Sequence, residues 1–114
     1  MKVMITVSVG DFIDRMSILS IKKSYGLPVD KELNEYQENP VIHEGSFSYF
    51  FNILKSINSQ LWDLENAKRK GVERFSRRES DVAFLITQLN DLRYQVKKTA
   101  DIFFESDISE EKSH

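Results

Sequence analysis

Cysteine is absent from this 114-residue sequence, and histidine and glycine-rich loops are scarce or missing as well. The absence of cysteine excludes a disulfide-stabilised scaffold, a thiolate metal site and a cysteine nucleophile. The 2 histidines, His43 and His114, are far apart, so the sequence predicts no zinc site. The segment 8–11 lacks the glycine pattern of a phosphate-binding loop, and local spacing suggests no serine–histidine–acid set. We therefore expect no metal, no cofactor and no catalytic residue, and the pattern favours a protein that is not an enzyme.

Long apolar runs are also missing. No stretch approaches the roughly 18 apolar residues that a membrane-spanning helix needs, and the N-terminus lacks the apolar run of a signal peptide. The formal net charge of −2 argues against broad adhesion to nucleic acid or membranes. Hydrophobic residues make up 40% and charged residues 30%, as is typical of a globular domain. The sequence predicts a cytoplasmic protein of one domain.

The N-terminal residues alternate between apolar and polar side chains. Every second residue from Val3 to Val9 is β-branched, which predicts a half-buried strand that Gly10 ends. The only other segment that could form a strand is 41–43. Because a lone strand is not stable, the N-terminal strand must pair with that segment, with a second copy or with another protein.

The first half of the chain is expected to contain two helices. One should run from about residue 11 to residue 25, and the sequence Gly26-Leu27-Pro28 should end it, since glycine suits a helix C-cap and proline cannot continue the helix. Residues 30–37 are expected to form a short polar helix.

The second half contains two longer segments with helical apolar periodicity, one at 47–70 and one that begins at Ser76 or Ser80 and ends near Glu105. Two such helices joined by a short connection predict an antiparallel hairpin. The expected seam residues are Phe50, Ile53, Leu54, Ile57, Leu61 and Leu64 on the first helix, and Val82, Leu85, Ile86, Leu89, Leu92, Val96, Ala100, Phe103 and Phe104 on the second.

These patterns together predict a mainly α fold. A long antiparallel helical hairpin and a shorter N-terminal helix should form a three-helix, bundle-like domain over 1–105, with one short N-terminal β-strand. Residues 106–114 are polar and acidic and are expected to form a flexible tail.

The N-terminal helix is apolar on two sides, which is typical of a helix buried between layers. One side carries Phe12, Ile13, Met16 and Leu19, and nearly opposite lie Ile18, Ile21 and Tyr25. The hairpin can cover only one of these sides, so we expect a homodimer. In the alternative, the middle segment covers the second side within a monomer.

Arg93 lies near the centre of the apolar stripe of the last helix, where an unpaired guanidinium would cost several kcal/mol. Asn90 borders the same face, and Glu65 on the facing helix is the natural mate for the arginine. We interpret this as a buried ion pair that fixes the register of the hairpin. An anion-binding or catalytic pocket anchored by Arg93 is the functional alternative, and an arginine that reaches the helix edge is the third.

Three other features are candidate sites. Trp62 could stack on a ligand, although an aromatic residue at helical spacing is more often core or interface. Asp11 and Asp14 could form an acidic metal-binding pair, although Asp11 more simply favours a helix N-terminus. A basic patch in the link between the long helices could bind phosphate or an acidic partner, although a solvated hairpin tip is the simpler explanation. The patch consists of Lys68, Arg69, Lys70, Arg74, Arg77 and Arg78.

Three segments resemble an uncharacterised bacterial and phage family of short helical proteins. Residues 7–22, VSVGDFIDRMSILSIK, are similar to the family's opening, which reads roughly Ser-Val-Gly-acidic-apolar-apolar-Asp-basic-apolar-Ser/Thr-Ile-Leu-x-Ile-Lys. Residues 54–65 and 90–93 resemble its second and third signatures, and the segment 27–46 departs most. The resemblance implies a shared fold and no known activity. The polar positions that it carries over are Asp14, Lys22, Asn58, Asp63, Glu65, Asn90, Asp91 and Arg93.

The leading hypothesis is a non-catalytic module for protein–protein interaction or oligomerisation, with an unknown protein partner and no membrane association. It would dimerise through the N-terminal helix and the strand, and it would bind a partner by adding that strand to a sheet edge or by docking on a helical face. One alternative is a small helical enzyme or anion-binding protein that uses Arg93, Lys22 and Glu65. The other is a binder of nucleic acid or acidic protein through the basic turn at 68–78, which the acidic net charge makes less favourable. The candidate binding residues are Asp14, Lys22, Asn58, Trp62, Glu65, Asn90 and Arg93.

Overall fold

In the computed structural model of this protein, residues 1–70 and 77–105 are described, without the side chains of Arg77 and Arg78. All regular structure within those ranges is helical, which confirms the predicted mainly α class. None of the helices described there is long and apolar enough to cross a membrane. In chain order the elements are α1 (Val9–Ser24), α2 (Asp30–Gln37), a 3₁₀ turn (Pro40–His43), α3 (Phe47–Arg69) and α4 (Arg77–Phe103).

Local sequence signals define both ends of α1. Ser8 is the N-cap residue, and its hydroxyl accepts a hydrogen bond of 3.1 Å from the backbone N–H of Asp11. At the other end Gly26 adopts a φ of +81°, which ends the helix because residues with a Cβ rarely adopt that conformation. The helix therefore begins two residues before the predicted start at residue 11 and ends one residue before the predicted end.

α1, α3 and α4 pack against one another as a three-helix bundle, with α2 against α1. Phe50, near the start of α3, contacts Phe103 and Phe104 at the end of α4, with ring centroids 5.6 and 5.9 Å apart. The two long helices are therefore antiparallel, which confirms the predicted hairpin. Ile13 and Leu54 are fully buried in the core between the helices.

The predicted N-terminal strand is not formed in the described part of the chain. Residues 1–7 have neither helical nor strand structure, and Val3, Met4 and Ile5 are exposed. The other candidate strand, 41–43, is part of the 3₁₀ turn, which Pro40 begins and the Asn39 side chain caps. Because that segment offers no extended edge, the N-terminal residues have no strand to pair with.

The middle segment covers the Phe12 side of α1. Leu33 of α2 belongs to the buried core, and the Tyr36 ring lies 4.8 Å from the ring of Phe12. On the opposite side Ile21 is buried, whereas Tyr25 is exposed and stacks on Trp62 at 5.3 Å. The alternative in which the middle segment covers α1 within one chain thus agrees with the structure, and self-association stays a prediction.

Gly10 marks the closest approach between α1 and α4. A Cβ built on Gly10 would lie 2.2 Å from the Lys97 carbonyl oxygen and 2.8 Å from Asp101 Oδ1. The backbone N–H of Gly10 donates a hydrogen bond of 2.6 Å to that same carboxylate oxygen. The glycine is therefore required by space, and the Asp101 carboxylate closes the N-terminal end of α1.

We predict that Gly10→Ala lowers the free energy of unfolding by about 2 kcal/mol, because the new methyl group collides with backbone that cannot move alone. Urea denaturation followed by circular dichroism measures this change. Gly45→Ala is the matched control, since a Cβ at Gly45 meets nothing within 4 Å, and its midpoint should stay unchanged. Equal midpoints for the two variants would contradict the close helix approach.

Candidate functional site

A polar cluster around Asp14 joins the three long helices. Asp14, on α1, is 1% exposed. Arg93 of α4 donates two hydrogen bonds to it, from Nε to Oδ1 at 2.9 Å and from Nη2 to Oδ2 at 2.6 Å. Asn58 of α3 donates from Nδ2 to Asp14 Oδ1 at 2.9 Å and to the Ser17 hydroxyl at 2.8 Å. This set of four residues is called the Asp14 cluster below.

Asp11 extends this network toward the N-terminus of α1. The Nζ atom of Lys97, on α4, lies 3.1 Å from Asp11 Oδ1 and 3.7 Å from Asp14 Oδ2. Arg15 also donates to Asp11, from Nε to Oδ2 at 2.6 Å. The two aspartates that the sequence suggested as a metal pair are thus bound by cations of the chain itself. Among the described residues no group of three or more carboxylates or imidazoles is placed to hold a metal ion.

Arg93 forms an ion pair, as predicted, but the predicted mate was wrong and the Arg93 side chain is only partly buried, with 29% of its surface exposed. Arg93 binds Asp14 on α1, whereas Glu65 of α3 makes no hydrogen bond or salt bridge within residues 1–70 and 77–105. The reason is geometric, since α4 contacts α1 as well as α3 and presents Arg93 toward the former. The pair therefore fixes how α1 lies on the hairpin and not the register of the hairpin itself.

The surroundings of Asp14 act on its pKa in opposite directions. Burial raises the pKa, because it disfavours the charged carboxylate, while hydrogen bonds from Arg93 and Asn58 and the charges of Arg93 and Lys97 lower it. The lowering interactions prevail, and the pKa of Asp14 lies below its ordinary value. The folded protein therefore holds Asp14 as a carboxylate at neutral pH.

A groove of about 360 Å³ lies beside the Asp14 cluster, between α1, α3 and α4. It brings together most of the binding residues that the sequence predicted, namely Asn58, Trp62, Glu65, Asn90 and Arg93. The remaining lining residues are Ile18, Ile21, Leu61 and Arg69. Asp14 is buried and reaches the groove only through Asn58 and Arg93, and Lys22, in the last turn of α1, is not part of the lining.

Several residues of the polar network were missed from the sequence as site residues. Ser17 accepts from Asn58, Lys97 binds Asp11, and Asp101 binds the N-terminus of α1. A signal existed for two of them, since Arg93, Lys97 and Asp101 recur at intervals of four residues on one side of α4. Such a row of charged residues beside an apolar stripe indicates a polar contact with a neighbouring helix.

The predicted basic patch is described only in part. Lys68, Arg69 and Lys70 are exposed at the end of α3, and Arg69 Nη2 donates to Asn66 Oδ1 at 3.1 Å. Arg74 and the side chains of Arg77 and Arg78 lie outside the described residues. Binding of nucleic acid or acidic protein by 68–78 stays a prediction.

A second candidate surface runs along the outer side of α4. Five large apolar side chains lie within a sector of about 100° and are 45–72% exposed. Between Asp81 and Phe103 the other residues of that sector are Gln88, Gln95 and Thr99, so Asp81 is the one charged residue there. The apolar residues of this surface, called the α4 face below, are Phe84, Leu85, Leu92, Ile102 and Phe103.

The α4 face corrects part of the predicted seam. Ala100 and Val82 are buried as expected, but Leu85, Leu92 and Phe103 are exposed. The apolar stripe of α4 is wider than the surface that α1 and α3 cover.

We predict that Arg93→Ala lowers the free energy of unfolding by about 3 kcal/mol, because it leaves the buried Asp14 carboxylate without its main partner. Lys2→Ala, which removes the exposed salt bridge of 2.8 Å between Lys2 and Glu35, serves as the control and should not change the midpoint. Chemical denaturation of both variants tests this, and an unchanged midpoint for Arg93→Ala would show that the cluster is not structural.

The lowered pKa of Asp14 also predicts a pH dependence. The stabilisation from the ionised carboxylate is fully present above the unfolded-state pKa of about 3.9 and is lost as the pH falls through the lower folded-state pKa. The wild-type protein should therefore exceed Asp14→Asn in unfolding free energy at neutral pH, and the difference should shrink in acid. Urea titrations of both proteins between neutral pH and pH values below 4 measure it, and a difference that is constant with pH would refute the assignment.

Comparison of this chain with protein-family models, with curated proteins and with solved structures finds no match. The resemblance to the family of short helical proteins thus stays a prediction. The functional interpretation rests on the geometry of the Asp14 cluster, the groove and the α4 face.

Proposed function

We propose that this protein is a non-catalytic interaction module of the cytoplasm that forms a homodimer through the α4 face. The observation that carries the proposal is the exposure of Phe84, Leu85, Leu92, Ile102 and Phe103 along one side of a single helix. Large exposed apolar patches in a folded protein are typical of interaction surfaces. The small number of charged residues on this face also indicates an interaction surface, because the centres of interfaces contain few charged residues.

The chemistry of the α4 face favours a second copy as its occupant. A face with one charged residue can be apposed to itself without like-charge repulsion, which a strongly acidic or basic face could not. Leu85 and Leu92 lie seven residues apart on this face and are about half exposed, so they would be the central contacts if two α4 helices packed across a twofold axis. Leu89 and Val96 continue the apolar spacing but are half-buried within the protomer.

The Asp14 cluster supports a scaffold role over a catalytic one. Both carboxylate oxygens of Asp14 and the forked face of Arg93 are engaged with each other. The Asp14 carboxylate already compensates the charge of Arg93, which weakens the attraction of Arg93 for a further anion. The ion pair is therefore better suited to holding α1 in place, so that α4 is presented in a fixed orientation.

We predict that the wild-type protein sediments as a species of twice 13.3 kDa and that Leu92→Glu converts it to a monomer. Burying two unpaired carboxylates at the centre of the interface should weaken association by at least about 100-fold. Analytical ultracentrifugation over a range of concentrations measures the dissociation constant. Because Leu92 is exposed within the protomer, the variant should keep its helical circular dichroism spectrum.

Ala83→Glu is the matched control for this experiment. It introduces the same charge at an exposed position on the same helix, about 180° around from Leu92, and should leave the dimer intact. A wild-type protein that is monomeric at every accessible concentration would overturn the proposal. The same conclusion would follow if Leu92→Glu dimerised as tightly as Ala83→Glu.

A further inference from the structure

The groove combines an apolar wall with charged groups of both signs. Ile18 and Ile21 of α1 and Leu61 of α3 form the apolar part. Glu65 and Arg69, also on α3, line the same groove one helical turn apart. The groove lies on the side of α4 that carries Asn90 and Arg93, about 160° and 100° around the helix from Leu92, so it is separate from the α4 face.

Glu65 and Arg69 do not bind each other. A glutamate four residues before an arginine on a helix is the favourable arrangement for a salt bridge, yet Arg69 donates instead to Asn66. The Glu65 side chain is partly buried and has no hydrogen bond or salt bridge within the described parts of the chain. Its carboxylate can therefore accept charge-assisted hydrogen bonds from an incoming ammonium group.

Trp62 adds an unsatisfied donor to the same place. Its indole Nε1 is buried and has no hydrogen-bond partner among the described residues. Buried indole N–H groups usually have an acceptor, and a missing one is unfavourable. Trp62 lines the groove one turn before Glu65 and two turns before Arg69, so its unsatisfied N–H is a third polar group of the same groove.

We propose that this groove binds a free α-amino acid with a branched apolar side chain. Glu65 would accept hydrogen bonds from the ammonium group, and Arg69 would bind the carboxylate. Ile18, Ile21 and Leu61 would contact the side chain. The volume of about 360 Å³ lies in the range of small-molecule sites, and the two opposite charges one turn apart match a ligand whose ammonium and carboxylate share one carbon atom.

Trp62 makes the proposal directly testable, because it is the 1 tryptophan of the chain and lies in the groove. Titration of the full-length protein with L-leucine, which does not fluoresce, should produce a saturable change in the Trp62 emission. Two analogues each lack one charge: 4-methylpentanoate has no ammonium, and 3-methylbutylamine has no carboxylate. Each should bind about tenfold more weakly than leucine, which is the effect of one lost charged hydrogen-bonding partner.

Variants identify which residue recognises which charge. Glu65→Gln should weaken the binding of leucine about tenfold, so that leucine and 4-methylpentanoate bind with equal affinity. Arg69→Gln should likewise make the affinities for leucine and 3-methylbutylamine equal. Lys68→Gln is the matched control for Arg69→Gln, because it deletes a neighbouring exposed cation that does not line the groove. It should bind leucine as the wild type does.

Two results would overturn the proposal. One is the absence of any saturable emission change with leucine in the folded wild-type protein. The other is evidence of non-specific apolar association, which would be either equal affinities for leucine and both analogues or equal losses of leucine affinity in Arg69→Gln and Lys68→Gln. Circular dichroism of each variant verifies that its helices are intact. Failure of leucine binding leaves the sedimentation result for the α4 face unaffected, because the two surfaces do not share residues.

Discussion

The salt bridge between Asp14 and Arg93 is the interaction on which the arrangement of the three long helices depends. Apolar packing favours burial but has little directional preference, so the apolar sides of α1 could lie on the hairpin in more than one orientation. The planar guanidinium group forms paired hydrogen bonds over only a narrow range of angles, and Arg93 donates both of these bonds to the Asp14 carboxylate. The net contribution of such a pair to stability is modest once desolvation is counted, but a displaced α1 would leave a buried charge uncompensated. We infer that the pair acts by excluding other orientations of α1. Asn58 of α3 donates a hydrogen bond to the same carboxylate, so the Asp14 side chain connects all three long helices.

A second polar contact, at the other end of the α1–α4 interface, has the same character. Asp101 accepts the backbone N–H of Gly10, where α1 begins, and the lack of a side chain at Gly10 lets the Lys97 backbone approach. A carboxylate at a helix N-terminus is favoured by the helix dipole and by an otherwise unpaired N–H group. The other oxygen of Asp101 is buried without a hydrogen bond in the described structure, which makes this contact less complete than the one at Asp14. These two charge-assisted contacts, about one turn apart along α1 and about two turns apart along α4, define both the rotation of α1 and its position along α4.

The sequence predicted the helices well and their partners less well, for physical reasons. Helical periodicity is a local property, so α2, α3 and α4 were found close to their observed limits. The alternation of apolar and polar residues at the N-terminus also fits the local pattern of a strand, but a strand is stable only when it pairs with a second strand. The one candidate for that second strand, 41–43, lies in the 3₁₀ turn that Pro40 begins. Arg93 was recognised as a buried charge because its neighbours along the helix are apolar. Its mate lies 79 residues away on a third helix, and periodicity alone could not choose between Asp14 and Glu65. The proximity of the candidate binding residues Asn58, Trp62 and Glu65 could be predicted, because they follow one side of α3 and that helix alone brings them together.

The distribution of residues around α4 is opposite to that of an ordinary surface helix. Charged residues at intervals of four, Arg93, Lys97 and Asp101, face α1, and the last two are less than 7% exposed. Apolar residues such as Leu85 and Leu92 occupy the outer side. In a surface helix the apolar side faces the core and the charged side faces water. The inward charges are explained by their partners on α1, since each is held by a carboxylate or a backbone N–H group of that helix. Within the described parts of the chain, Leu85 and Leu92 stay about half exposed, and contact with a second apolar surface would bury them. Asp91 and Lys98 are exposed beside the α4 face, whereas the sector of the face itself contains Asp81 as its one charged residue, which favours a self-complementary interface.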